Sequence, residues 1–256
     1  MRRIFGSLLL AATMFMLLPV DAVQAQEEEE ATGYGFVIVI ELAPADRAAY
    51  RSALEGLADA AAEAGVTTPW WAWSHDMGYT VVLGIDNMAW FDDSDSFWGQ
   101  FPESAQAAFR TALDGFDREV TSEVTQQIPS WSYTPENPIQ DIGLAHVHND
   151  WLKGGAQEAY GELSEDWVAF LGRIGYPYQA NCMRTVVGPQ KTTCVTFADN
   201  LSRFTSDETW DDLIEAAGAQ EEYQNLLERW QGLVMRWEHM DASYVSSMSY
   251  WPGQEG

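Results

Sequence analysis

The chain is poor in positive charge. Lysine occurs only as Lys153 and Lys191, and Lys plus Arg total 13 against 39 Asp plus Glu, a formal charge of −26 over 256 residues. A surface this acidic repels phosphate backbones and anionic lipid head groups, so nucleic acid is not an expected partner. Cysteine is as scarce, with Cys182 and Cys194 alone. Neither has a histidine near it in sequence, so a cysteine-based metal site lacks its other ligands. There is no glycine-rich phosphate loop and no Gly-x-Ser-x-Gly nucleophile turn. Long apolar runs are absent except over residues 4–20, and that one is too short and wrongly flanked to span a membrane.

That run reads as part of an export signal. Arg2 and Arg3 precede it, and Val23-Gln24-Ala25 supplies small residues for cleavage after Ala25. The expected destination is secreted or periplasmic, with no membrane insertion after cleavage. Residues 26–33, opening Gln26-Glu27-Glu28-Glu29-Glu30, read as an acidic flexible leader.

Beyond the leader the chain repeats itself. Gly35-Phe36-Val37-Ile38-Val39-Ile40 is answered by Gly143-Leu144-Ala145-His146-Val147-His148. Tyr50 is answered by Tyr160, Gly65 by Gly175, Asp86-Asn87 by Asp199-Asn200, and Ser132-Tyr133-Thr134-Pro135 by Ser249-Tyr250-Trp251-Pro252. The offset, about 110 residues, is domain-sized and far longer than a solenoid period. Repeat 1 spans 34–134, a linker 135–141, repeat 2 142–251, and a tail 252–256.

Each repeat reads strand, helix, strand, strand, helix, strand. In the first, a strand over 34–42 precedes a helix over 45–64, with Gly65 as its C-cap. A hairpin over 70–86 follows, then a helix over 102–126 and a closing strand over 128–134. The second offers a strand over 142–149, a helix over 155–174, and a hairpin over 178–199 turning at Gly188-Pro189. A short helix over 205–217 with Ser206 as N-cap, a long one over 221–240 and a strand over 246–251 complete it. The hairpin sets Cys182 opposite Cys194, close enough at Cβ for a disulfide.

This order resembles the dimeric α/β barrel superfamily of ferredoxin-like βαββαβ units, here as a tandem fusion over 34–251. That superfamily includes antibiotic-biosynthesis-type monooxygenases, EthD-like and NIPSNAP-like domains, chlorite dismutases and dye-decolorising peroxidases. The resemblance implies an α+β fold whose two bare sheets face each other, a monomer, and a ligand cavity against the sheet.

Within that frame, His146 and His148 stand out. They replace Ile38 and Ile40 on one face of one strand, and Asp150 continues that face. They are the candidate catalytic or ligand-binding pair. His75, Trp131, Tyr133, Arg184 and Tyr250 are further candidates for a cavity rich in aromatics, the chain having twelve Trp. No cofactor is expected. A transition metal on the His-x-His pair is one alternative. Another is haem held by His239 on the last long helix with Arg184 opposite, although the Gly-x-x-Asp-Gly signature of dye-decolorising peroxidases is missing. Two functions fit these residues. One is an exported module binding a small organic ligand. The other is a cofactor-independent monooxygenase-like enzyme for a phenol or quinol, with His146 or His148 as base and Tyr133 and Tyr250 orienting the substrate.

Overall fold

The computed structural model describes residues 33–92, 94–139, 141–200 and 210–253. The export signal, the acidic segment 26–32 and the Ser206 cap lie outside them. The first repeat runs β1 (Tyr34–Leu42), α1 (Arg47–Ala64), β2 (Trp70–His75), β3 (Gly78–Ile85), α2 (Ser94–Gly99), α3 (Glu103–Leu113) and β4 (Arg118–Gln127). The second runs β5 (Leu144–Leu152), α4 (Gln157–Arg173), β6 (Ala180–Val187), β7 (Lys191–Ala198), α5 (Trp210–Ala217), α6 (Gln220–Leu233) and β8 (Val234–Tyr244).

Within the repeats the strands order as β4-β1-β3-β2 and β8-β5-β7-β6, all antiparallel, the ferredoxin-like arrangement twice over. The two sheets then join edge to edge, β2 to β8 and β4 to β6, and close one eight-stranded barrel. Closure leaves no unpaired sheet edge. Alternate side chains point into the lumen, such as Val37 and Val39, or outward beneath the helices, such as Ile38 and Ile40.

Two expected helices prove to be half strand. The segment 102–126 turns from helix to β4 at Arg118, and 221–240 turns from α6 to β8 at Val234. Arg-Glu-Val-Thr-Ser-Glu-Val-Thr is rich in β-branched residues, and each sheet needs this fourth strand to pair beside β1 or β5. The apolar spacing there fits a helical stripe as well as an alternating one, which is why the helices read too long.

The segments expected to close each sheet do something else. After β4 and β8 the chain makes a short 3₁₀ turn and crosses to the other repeat. Tyr133 bridges Ala180 of β6, and Tyr250 bridges Trp70 of β2. The Tyr133 hydroxyl donates to Tyr176 O, one residue past Gly175, and the Tyr250 hydroxyl to Val66 O, one residue past Gly65. Both glycines take left-handed backbone just past their helices (φ 67° and 68°), which a side chain disfavours, so the two docking points are built alike. Met248 and Tyr250 belong to the core of the first repeat, and the Trp70 indole donates to Met248 O. On the other side, Trp131 lies against Gly161 of α4, where a Cβ would sit 3.1 Å from the ring.

A disulfide joins Cys182 to Cys194 across β6 and β7, which are direct register partners. No helix among the described residues is long and apolar enough to cross a membrane.

The crossed arms carry stability. Met248 is fully buried in the core of the opposite repeat. Met248→Ala is expected to lower unfolding stability by about 2–5 kcal/mol through the cavity it leaves, measured by urea denaturation. A loss below half a kilocalorie would mean that the arm does not tie the repeats together.

Candidate functional site

The two repeats differ most beneath their helices. In the first, the outward side chains of β1 vanish into the core. Ile38 and Ile40 are 1% and 2% exposed and pack in one cluster with Tyr50, Leu54 and Leu57 of α1. In the second, the same positions hold His146 and His148, whose side chains are 38% and 34% exposed. The apolar cluster under α4, α5 and α6 includes Leu163, Phe170, Ile214 and Leu226 but no strand residue. A smaller cluster of Leu152, Ala156, Tyr160 and Val234 pins one end of the helices to the sheet. The result is a polar, half-exposed face on the helix side of this sheet.

The register of β5 and β8 builds that face. His146 faces Asp241, His148 faces His239, and Asp150 faces Trp237 across the ladder. Four rings stack in succession: His146 on His239 (5.6 Å between centroids), His239 on Trp237 (5.5 Å), and Trp237 on His148 (5.9 Å). Two carboxylates back the imidazoles. His146 Nδ1 lies 2.7 Å from Asp241 Oδ1, and His148 Nε2 lies 2.9 Å from Asp150 Oδ1.

Asp150 is the anchor. It is 2% exposed, and a carboxylate so deep is tolerable only with donors around it. Its Oδ2 accepts the Tyr160 hydroxyl at 2.6 Å and the Trp230 indole N–H at 2.9 Å, while Oδ1 faces His148. The carboxylate can only accept, so the network assigns the His148 proton to Nε2. Nδ1 is left as the basic nitrogen of that ring. By the same logic His146 carries its proton on Nδ1. A carboxylate that fixes the tautomer and supports the charged ring is the arrangement of a general base.

The other residues singled out from sequence do not join this site. His75 ends β2 in the first repeat; it is buried, and burial holds its imidazole below the ordinary range. Trp131 and Tyr133 brace α4 from the crossing arm, and Tyr250 sits in the first core. Arg184 is exposed on β6, where both Nε and a terminal nitrogen donate to Gln126 Oε1. Trp237, Asp241, Tyr160 and Trp230 were not singled out. The alternation Trp237-x-His239-x-Asp241 signals a strand face, but it lies where helical spacing was read.

No family model and no curated protein matches the chain. Solved structures do match in fold. A proposed monooxygenase from Lactobacillus acidophilus aligns at TM-score 0.54 and 11% identity, over 87% of this chain and 97% of that one. An anthrone oxidase-like protein aligns at 0.57 and 11%, over 88% and 95%. A proposed chlorite dismutase aligns at 0.50 and 8%, over 85% and 96%. At such identities the likeness concerns architecture.

The residues do not fit the haem-binding pair considered from sequence. His239 lies on β8 and not on a helix, so that expectation is corrected. It and Arg184 rise from the same face of one sheet, three strands apart, about 14 Å at ordinary strand spacing. They cannot grip opposite faces of one macrocycle. Among the described residues no cluster of His, Cys, Asp or Glu is arranged to hold a metal ion.

The site has an alkaline signature. The Tyr160 hydroxyl is held well above the ordinary tyrosine value by burial, then by the charge of Asp150 and the hydrogen bond to it, and burial pushes Tyr176 up to about 12. Above about pH 10 the unfolded chain loses these protons while the native chain keeps them, so stability is complete below pH 10 and declines from there toward pH 12. Tyr160→Phe is expected to flatten that decline. It should also cost about 1–3 kcal/mol at neutral pH by leaving Asp150 short of a donor. Urea denaturation across pH reads both, and an unchanged alkaline slope would contradict the assignment.

Proposed function

We propose that the protein binds a small, flat, weakly acidic organic molecule, a phenol or quinol, on the half-exposed His and Trp face of β5 and β8. The observation that carries this reading is the exchange of buried Ile38 and Ile40 for half-exposed His146 and His148, each backed by a carboxylate. A fold that stands with isoleucine at those positions has no structural need for imidazole there. Trp237, half-exposed and stacked on His148, offers a face for an aromatic ring, and His148 Nδ1 offers an acceptor for an acidic hydroxyl. The disulfide suits an oxidising compartment, in keeping with export. With both sheet seams closed inside one chain, a monomer is expected.

A second reading adds turnover without a cofactor. It is favoured by the Asp150-backed His148 and by the architectural likeness to an anthrone oxidase-like protein. His148 would take the acidic proton of a bound phenol, quinol or anthrone, and the resulting electron-rich anion would react with oxygen. For anthrone the balance is one anthrone and one dioxygen to one anthraquinone and one water. Tyr133 and Tyr250 have no part in this, since their hydroxyls are committed to Tyr176 O and Val66 O.

One experiment separates the readings. Hydroquinone, 1-naphthol and anthrone are titrated against tryptophan fluorescence, and oxygen uptake is followed with the same compounds. Binding that Trp237→Ala weakens is expected. If there is turnover, His148→Phe should lower the rate roughly 100-fold or more, the usual contribution of a positioned base. Binding without oxygen uptake supports the module alone. No binding of any of the three, or binding indifferent to Trp237→Ala and His148→Phe, would overturn this face as the site.

A further inference from the structure

The barrel lumen is a separate space, divided from the half-exposed His face by the sheet itself. Side chains that point inward from all eight strands line a cavity of about 140 Å³. Its walls are apolar, with Val39, Trp71, Trp73, Val82, Val147 and Phe197 among them. An apolar cavity of roughly 150 Å³ is known to hold benzene. The lumen therefore has room for one six-membered ring and little more.

Its polar groups narrow the chemistry. Lys191 and Glu123 form an ion pair at 2.9 Å with both side chains largely buried, and the Thr193 hydroxyl donates to Asn149 Oδ1 at 2.7 Å. These groups answer one another, and a charged ligand would break the pairing and leave a buried charge uncompensated. Thr80 is different. It is 92% buried, lines the cavity between Val39 and Trp73, and its hydroxyl has no hydrogen-bond partner. An unanswered buried hydroxyl is unfavourable and calls for a partner.

We propose that the lumen is a binding site for a neutral monocyclic aromatic molecule carrying one hydrogen-bonding group, which meets Thr80 Oγ1 while the ring lies against Trp71 and Trp73. The site is independent of the His face, because neighbouring residues on each strand serve opposite faces: Val147 lines the lumen, while His146 and His148 lie on the helix side.

The test uses benzyl alcohol and toluene, which differ only in the hydroxyl and lack the acidic proton required over β5 and β8, titrated calorimetrically against the full chain. Both should bind with a stoichiometry of one. Thr80→Val, which keeps the shape and removes the hydroxyl, should weaken benzyl alcohol about 3- to 10-fold, as one neutral hydrogen bond would. It should leave toluene unchanged. Val147→Trp fills the lumen and should abolish both, whereas Trp237→Ala on the helix-side face should affect neither. Failure of both compounds to bind, survival of binding in Val147→Trp, or loss of binding in Trp237→Ala would overturn the proposal. If Val147→Trp does not fold, the contrast between benzyl alcohol and toluene in Thr80→Val decides alone, and equal effects on the two would overturn it.

Discussion

A four-stranded sheet with helices on one side has two open edges and one bare face, and none of these is stable in water. The chain answers all three at once by pairing β2 with β8 and β4 with β6. The seams are unequal. The β4–β6 seam is paired from Val124 to Gln127, while the regular β2–β8 ladder holds only Trp73 with Tyr244 and Ser74 with Ser243. The thinner seam is extended by the Val245 N–H donating to Ala72 O and by the Trp70–Tyr250 bridge. Closure thus depends on the crossing arms as much as on the strands, and closure creates the lumen.

Because the edges are settled by backbone pairing, the helix-side faces were free to diverge. The first repeat fills its face with Phe36, Ile38, Ile40 and Val81, and in doing so carries most of the hydrophobic stabilisation. The second gives up that contact. It sets imidazoles and a carboxylate on the sheet and pins the helices at one end, where Asp150 gathers Tyr160 and Trp230. Such a face stands because every buried polar atom of Asp150 is answered. The disulfide sits on this same face, bracing the repeat that has the weaker helix-to-sheet packing.

Much of this was legible in the chain. The repeated Gly, Tyr and Ser-Tyr-x-Pro positions gave the duplication, and Cys182 and Cys194 straddling Gly188-Pro189 gave the bridge. What was hidden depended on partners distant in sequence. Val120 and Val124 suit either a helix stripe or a strand, and only the vacant place beside β1 decides between them. Trp237, His239 and Asp241 were obscured in the same way. His146 and His148 stood out because Ile38 and Ile40 offered an internal comparison. No such contrast marked Thr80 or Lys191, whose significance is a matter of where the barrel closes. Trp70, Trp71 and Trp73 are neighbours in sequence, yet strand alternation sends Trp70 into the helix-side core and the other two into the lumen.

The crossing arms also bear on how the chain acquires its structure. Trp70 waits for a carbonyl 178 positions later in the sequence, and Val66 O for a hydroxyl 184 positions later. The first repeat cannot complete its core from its own residues. Its socket stays unfilled until residues 248–250 dock. Contacts of such long sequence separation slow folding and prolong the exposure of apolar surface. The abundance of acidic residues then has a use that the finished molecule does not reveal, since mutual repulsion keeps incomplete chains apart during that interval.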